Sequence, residues 1–92
     1  MSITRINTFR ALDEHIDELK TFLLALLPTI RSSAGCQSCQ LLQDQVHSAS
    51  MVILEVWDSI DAHHASLQHV SPDSIAQVKT LLAAAPVGGY YQ

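Results

Sequence analysis

MVILEVW, residues 51–57, carries a single polar side chain, Glu55. Successive residues of a strand point to opposite sides, so a strand with one wet face should alternate apolar and polar residues. This stretch offers apolar groups to both sides. The sheet that contains it is therefore expected to be covered on both faces.

Working outward, QLLQDQV (40–46) reads as a partner strand, joined to MVILEVW through the polar turn around HSAS (47–50). Residues 2–10 hold Ile3, Thr4, Ile6, Thr8 and Phe9, enough β-branched and aromatic side chains for a first strand. Between them Leu12, Ile16, Leu19, Leu23, Leu26 and Ile30 step by four and three, the spacing of one helix face. Asp13, Glu14, Asp17 and Glu18 lie near that helix's positive end. Pro28 has no backbone N–H and disfavours helical geometry at Leu27, which predicts a kink or stop there, and RSSAG (31–35) reads as a loop.

Beyond the hairpin, Asp58 or Ser59 caps a helix on which Ile60, His63, His64 and Leu67 share one side. SPD at 71–73 starts another, with Ile75, Val78, Leu82 and Ala85 on its inner face and Pro86 at its end. Gly88 and Gly89 make a turn, and YYQ supplies a short last strand. Strand, helix, strand, strand, helices, strand is the split βαβ order of a ferredoxin-like α+β domain, here residues 1–92 as a single domain. Its antiparallel sheet is expected to carry the helices on one face. The natural cover for the other face is the sheet of a second copy, a homodimer.

The chain has 92 residues, 48% of them hydrophobic and only 15% charged, near the small end of what folds alone. A net charge of −4, with five Lys and Arg in all and no two adjacent, leaves no basic stripe for nucleic acid or an anionic membrane. MSITRINTFR lacks the apolar run of a signal peptide or anchor, and Phe22 to Leu27 is too short to span a bilayer. A cytoplasmic location is expected, with Cys36 and Cys39 as thiols.

Chemistry concentrates around residues 54–69. Metal ligands on one helix need to lie three or four residues apart, whereas His63, His64 and His69 are separated by one, five and six and point roughly 100° or more apart. No metal site is expected there. Cys36-Gln-Ser-Cys39 has a redox-like spacing, but in an extended strand residues three apart face opposite sides, so the sulfurs should diverge. Trp57 ends its strand, and His63 follows about one and a half helical turns later, between Ile60 and Leu67. His63 reads either as a packing residue or as a base titrating near neutrality. Asn7 shares strand parity with Phe9, and Glu55 with Trp57, so these two, with Tyr90 or Tyr91, are the polar groups strands can aim inward. An inward Glu55 needs a donor such as Arg5 or Arg10, or else a place at the rim.

GCQSCQLLQD (35–44) followed by VILEVWDSIDAHHASL (52–67) resembles the antibiotic biosynthesis monooxygenase family, whose members read G-C-x-x-Y-x-L, a hairpin, then E-x-W-x-S-x-x-A and a helix. The resemblance implies a dimeric α+β barrel with a pocket between sheet and helices. It also implies oxygenation of a small phenol or hydroquinone with no cofactor, neither flavin, haem nor metal. An electron-rich phenolate can itself reduce oxygen, so a base, an apolar pocket and a stacking surface suffice. On this resemblance Trp57 and Glu55 line the pocket, His63 holds or removes the phenolic proton, and Asn7 donates to the developing oxyanion.

Three positions depart from the pattern. Cys39 stands where the family tyrosine usually is, Ile53 where some active members carry asparagine, and Ser66 where haem-degrading relatives need tryptophan. Haem breakdown is therefore not expected. Cys39 and Ile53 favour an alternative, a non-catalytic dimer binding a small aromatic ligand; His63 near Trp57 favours the enzyme.

Overall fold

A computed structural model of the chain describes residues 2–92. The elements are β1 (Ile3–Arg10), α1 (Ile16–Arg31), β2 (Cys36–Gln43), β3 (Ser50–Trp57), α2 (Ile60–Ser66), α3 (Pro72–Lys79) and β4 (Val87–Tyr91), with single 3-10 turns before α1 and after α2. The strands form one sheet in the order β2-β3-β1-β4, every neighbouring pair antiparallel. This is the ferredoxin-like split βαβ arrangement, an α+β fold with its helices on one face.

Along β3 burial alternates strictly. Met51, Ile53, Glu55 and Trp57 are buried on the helix side, while Val52, Leu54 and Val56 project half-buried from the other. Cross-strand register adds Thr4, Ile6 and Thr8 of β1 to that second face. Leu42, Val87 and Tyr91 share it through their own pairings and stand 48%, 71% and 56% exposed. The two-sided apolar strand thus has one face closed by its own helices and one face open.

Leu19, Leu23 and Leu27 of α1 are buried against Phe9, Met51 and Ile53, and they form the dry centre of the core. Pro28 does not stop the helix, which continues to Arg31. It falls in the last turn, where one missing N–H costs a single hydrogen bond. That turn is also secured from outside, because Ser32 N–H reaches the Pro28 carbonyl at 3.1 Å and Arg31 Nε donates to the Cys39 carbonyl at 3.0 Å.

The end of α3 also differs from the sequence expectation. The helix stops at Lys79 rather than at Pro86, because the chain after it turns to bond with the end of β1. Leu12 N–H donates to the Leu81 carbonyl at 2.9 Å, and Ala83 N–H to the Arg10 carbonyl at 2.8 Å. Leu81 consequently fills the inner position, and Ile75 is left 44% exposed.

A β-bulge between Cys36 and Ser38 overturns the expectation that the two sulfurs diverge. One extra residue shifts the register, so Cys36 lies opposite Trp57 and Cys39 opposite Glu55, both on the helix side. Gly35, just before it, has φ +86°, and a Cβ there would lie 2.7 Å from the Ala62 Cβ. Only glycine fits that turn.

Candidate functional site

The register places polar groups in a row across the helix side of the sheet. Cys39 of β2, Glu55 of β3, Arg5 of β1 and Tyr90 of β4 are successive cross-strand partners. The next row toward α1 is Leu41, Ile53, Asn7 and Gly88. Over the first row lies α2, which starts where the Ser59 hydroxyl accepts from Ala62 N–H at 3.1 Å. That cap sets the helix phase that turns His63 inward, to 6% exposure, while His64 stays outside.

His63 spans the row. Its Nδ1 meets the Tyr90 hydroxyl at 2.5 Å, and its Nε2 stands 4.0 Å from Glu55 Oε1. Glu55 Oε1 accepts instead from Trp57 Nε1 at 2.8 Å, and the Trp57 and His63 rings meet edge to face at 5.4 Å. The hydrogen-bond partner of Glu55 is therefore Trp57, two residues along the same strand face. Neither arginine weighed from the sequence bonds to it, although Arg5 is its cross-strand neighbour.

Burial decides the charge state of this group. It lowers the His63 pKa from 6.5 to about 4, helped by the Arg5 guanidinium and by His64. Burial also raises that of Glu55, which the Trp57 hydrogen bond and Arg5 only partly offset. Both shifts favour neutral forms, as desolvation of a close pair without direct contact should. At neutral pH His63 is an unprotonated imidazole with a lone pair available, but it does not titrate near neutrality as one reading of the sequence expects, because burial makes it a weaker base.

A cavity of about 140 Å³ lies between sheet and helices, lined in part by Asn7, Ile53 and Glu55 from the sheet, Leu26 and Ile30 from α1, and His63 from α2. Asn7, Glu55 and His63, singled out from the sequence, are thus brought to one space. Trp57, fully buried, stands behind Glu55 and His63 instead of on the wall. Tyr90 and Arg5 lie next to that lining and not on it, Tyr90 through its contact with His63 and Arg5 as the cross-strand neighbour of Glu55. The parity of β4 separates inward Tyr90 from outward Tyr91, but that parity becomes legible only once the register with β1 is known.

The family model for antibiotic biosynthesis monooxygenases matches residues 2–82. The chain belongs to this family. A structure from Chloroflexus aurantiacus carrying the same family name is 30% identical, with a TM-score of 0.75 over 100% of this chain and 94% of that one. One from Deinococcus radiodurans, again of that name, is 25% identical with a TM-score of 0.84 over 100% and 91%. SnoaB, a cofactor-independent oxygenase from Streptomyces nogalater, shares the fold at a TM-score of 0.82 and 18% identity, over 99% of this chain and 91% of its own. No curated protein matches.

Two features frame the site within the family fold. Among the described residues no three His, Cys, Asp or Glu side chains converge as the ligands of a metal would. No helix among them is long and apolar enough to cross a membrane.

Proposed function

We propose that the chain is a monooxygenase that oxidises a single-ring phenol or hydroquinone with molecular oxygen and no cofactor, with His63 as the base. The observation that carries this reading is a buried, neutral imidazole on the wall of a small, largely apolar cavity. Its volume, near 140 Å³, compares with the roughly 150 Å³ that admits benzene in an engineered core, so one ring fits. Membership of the family and the shared fold of SnoaB support the reaction class.

The chemistry follows from the ring's two nitrogens. Nδ1 is engaged by Tyr90, and an Nδ1–H tautomer donating to the phenolic oxygen leaves the Nε2 lone pair free. At 4.0 Å, Glu55 is too far to occupy Nε2 by hydrogen bonding yet near enough to stabilise the imidazolium once it forms. Nε2 takes the substrate's phenolic proton. The phenolate then passes one electron to oxygen, and the ring radical and superoxide join in a C–O bond. Loss of water from that hydroperoxide, with the proton returned by His63, leaves a quinone. One phenol and one oxygen molecule thus give one quinone and one water. Asn7 donates to the phenolate oxygen from the cavity wall.

Metal-stripped protein should consume oxygen with hydroquinone or simple phenols faster than the uncatalysed reaction. His63→Ala should lower kcat by about 10²- to 10⁴-fold, the usual contribution of a positioned base. Absence of uptake across such a panel would sink the enzyme reading. It would favour a ligand-binding role, toward which one observation points: Ile53, 2% exposed, puts an alkyl group on the cavity wall.

The reading includes a second copy over the open sheet face, where Ile6, Val52, Leu54 and Val56 share an apolar surface. Light scattering should report a dimer, and Leu54→Lys should shift it to monomer. A monomeric wild type would overturn the arrangement.

A further inference from the structure

Arg5 stands just outside the cavity, between Glu55 and Tyr90 in the cross-strand row, and among the described residues no carboxylate lies within ion-pair distance of it. Its Nε is buried with no hydrogen-bond partner. Glu55, its cross-strand neighbour, is turned to Trp57. A buried guanidinium N–H with no acceptor is costly; the Glu55 charge is felt only at a distance, and stacking on an aromatic ring compensates only in part. The Arg5 carbon Cζ does lie 4.8 Å from the Tyr90 ring centroid.

The side chain leans toward the cavity's row of the sheet. A Cβ at Gly88 would overlap Arg5 Nη2 and crowd Nη1 at 2.9 Å, so the missing side chain at Gly88 is what admits the guanidinium. Gly88 is the cross-strand partner of Asn7, and Asn7 lines the cavity. The fork therefore rests one strand away from Asn7, beside the Tyr90 ring whose hydroxyl engages His63.

We propose that Arg5 is the anchor for a carboxylate on the ring that occupies this cavity, which makes the ligand a hydroxylated aryl carboxylate instead of a neutral phenol. A guanidinium fork matches the two oxygens of a carboxylate in one plane, and Asn7 can add a donor from the adjoining row. With the carboxylate held at β4 and the ring in the cavity, a ring hydroxyl falls toward His63. The proposal rests on the cavity being the ligand site of the function argued above, but it concerns binding and requires no turnover.

Calorimetric titration of the purified protein at neutral pH with 2,5-dihydroxybenzoate and with hydroquinone tests it. The dihydroxybenzoate should bind about 10- to 100-fold more tightly, the worth of a hydrogen bond to a charged group. Arg5→Gln should abolish that preference, the dihydroxybenzoate losing about 10- to 100-fold more affinity than hydroquinone does. Arg5→Lys, which keeps the charge and loses the fork, should retain part of it, and it serves where the glutamine variant fails to fold. Equal affinity for the two ligands, binding of neither, or equal loss of both in the variants would overturn the assignment. Carboxylate preference without oxygen uptake would sink the oxygenase and spare the anchor. Turnover of hydroquinone without carboxylate preference would do the reverse.

Discussion

The helix-facing side of β3 divides into two halves that are equally buried and chemically opposite. Met51 and Ile53, at 0% and 2% exposure, meet the leucines of α1. Glu55 and Trp57, at 5% and 0%, meet His63 of α2. In the first half each buried group contributes by leaving water, and any side chain of similar volume would serve nearly as well. In the second, burial works against stability, because a carboxyl and an imidazole lose solvent and regain one hydrogen bond each. Depth in the core therefore does not separate residues that hold the fold from residues that a site requires. The cost of burying them does.

The strongest way to break this division is at Leu23. Leu23→Ala should cost about 2–5 kcal/mol, the range for a leucine truncated in a closed core, read from urea unfolding. Ligand binding by the fraction that remains folded should be unchanged. A cost below about 1 kcal/mol would mean that α1 is not seated as described.

Acid should act on the other half. The unfolded chain protonates His63 near 6.5, the folded chain only at about 4, so between these values the unfolded state holds more protons. Stability should accordingly fall as pH drops from 6.5 to 4, by up to about 3 kcal/mol at 1.36 kcal/mol per unit, and no further from this group below that. Glu55 works the other way, since its raised pKa lets the folded state take up a proton first as pH falls. Thermal unfolding across this range should show a shallow acid slope in the wild type, a steeper one in Glu55→Gln, and none of the His63 contribution in His63→Phe. A His63→Phe variant with the wild-type slope would contradict the depressed imidazole.

Trp57 tests whether the polar half depends on its hydrogen bond or on area alone. Trp57→Phe keeps an aromatic ring and removes the N–H, leaving the Glu55 carboxyl buried without that donor. A loss of about 1–3 kcal/mol is expected, with Glu55→Gln in the same background relieving part of it. Additive effects of the two substitutions would deny the coupling.

How much of this contrast the sequence discloses differs between the halves. The leucine periodicity of α1 and the strict parity of β3 place the dry half directly, because both are local repeats. The Ser59 and Ser71 caps are legible for the same reason, and the hydroxyls accept from Ala62 and Ser74 N–H groups, each at 3.1 Å. Glu55, His63 and Asn7 could be nominated from parity and helix phase. Their actual partners could not, since the Tyr90–His63 contact joins residues 27 apart and depends on the register of β4. Pro86 reads locally as the terminator of α3, whereas backbone bonding to Arg10 and Leu12 removes residues 81–83 from helical continuation. The bulge at Cys36 leaves no local signature stronger than the preceding glycine, so strand parity failed there.

That bulge supplies the smallest and most local test. With both cysteines on the helix side, Cys39 sits beside Glu55 in the polar half's own row and is only 5% exposed. Burial first, then the negative charge of Glu55, raises its pKa to about 12, and the same two causes raise that of half-buried Cys36. The thiolate is the reacting species, so the native protein at mildly alkaline pH should alkylate slowly, Cys36 before Cys39, and both should react like ordinary thiols in urea. Glu55→Gln removes the charge and keeps the volume, so it should speed both alkylations, modestly because burial is the larger cause. Were the register regular, the two thiols would lie on opposite faces and only one could respond to Glu55. A rate increase confined to one cysteine would thus argue against the bulge, whereas a shared one ties the thiols, through Glu55, to the same half of the strand as His63.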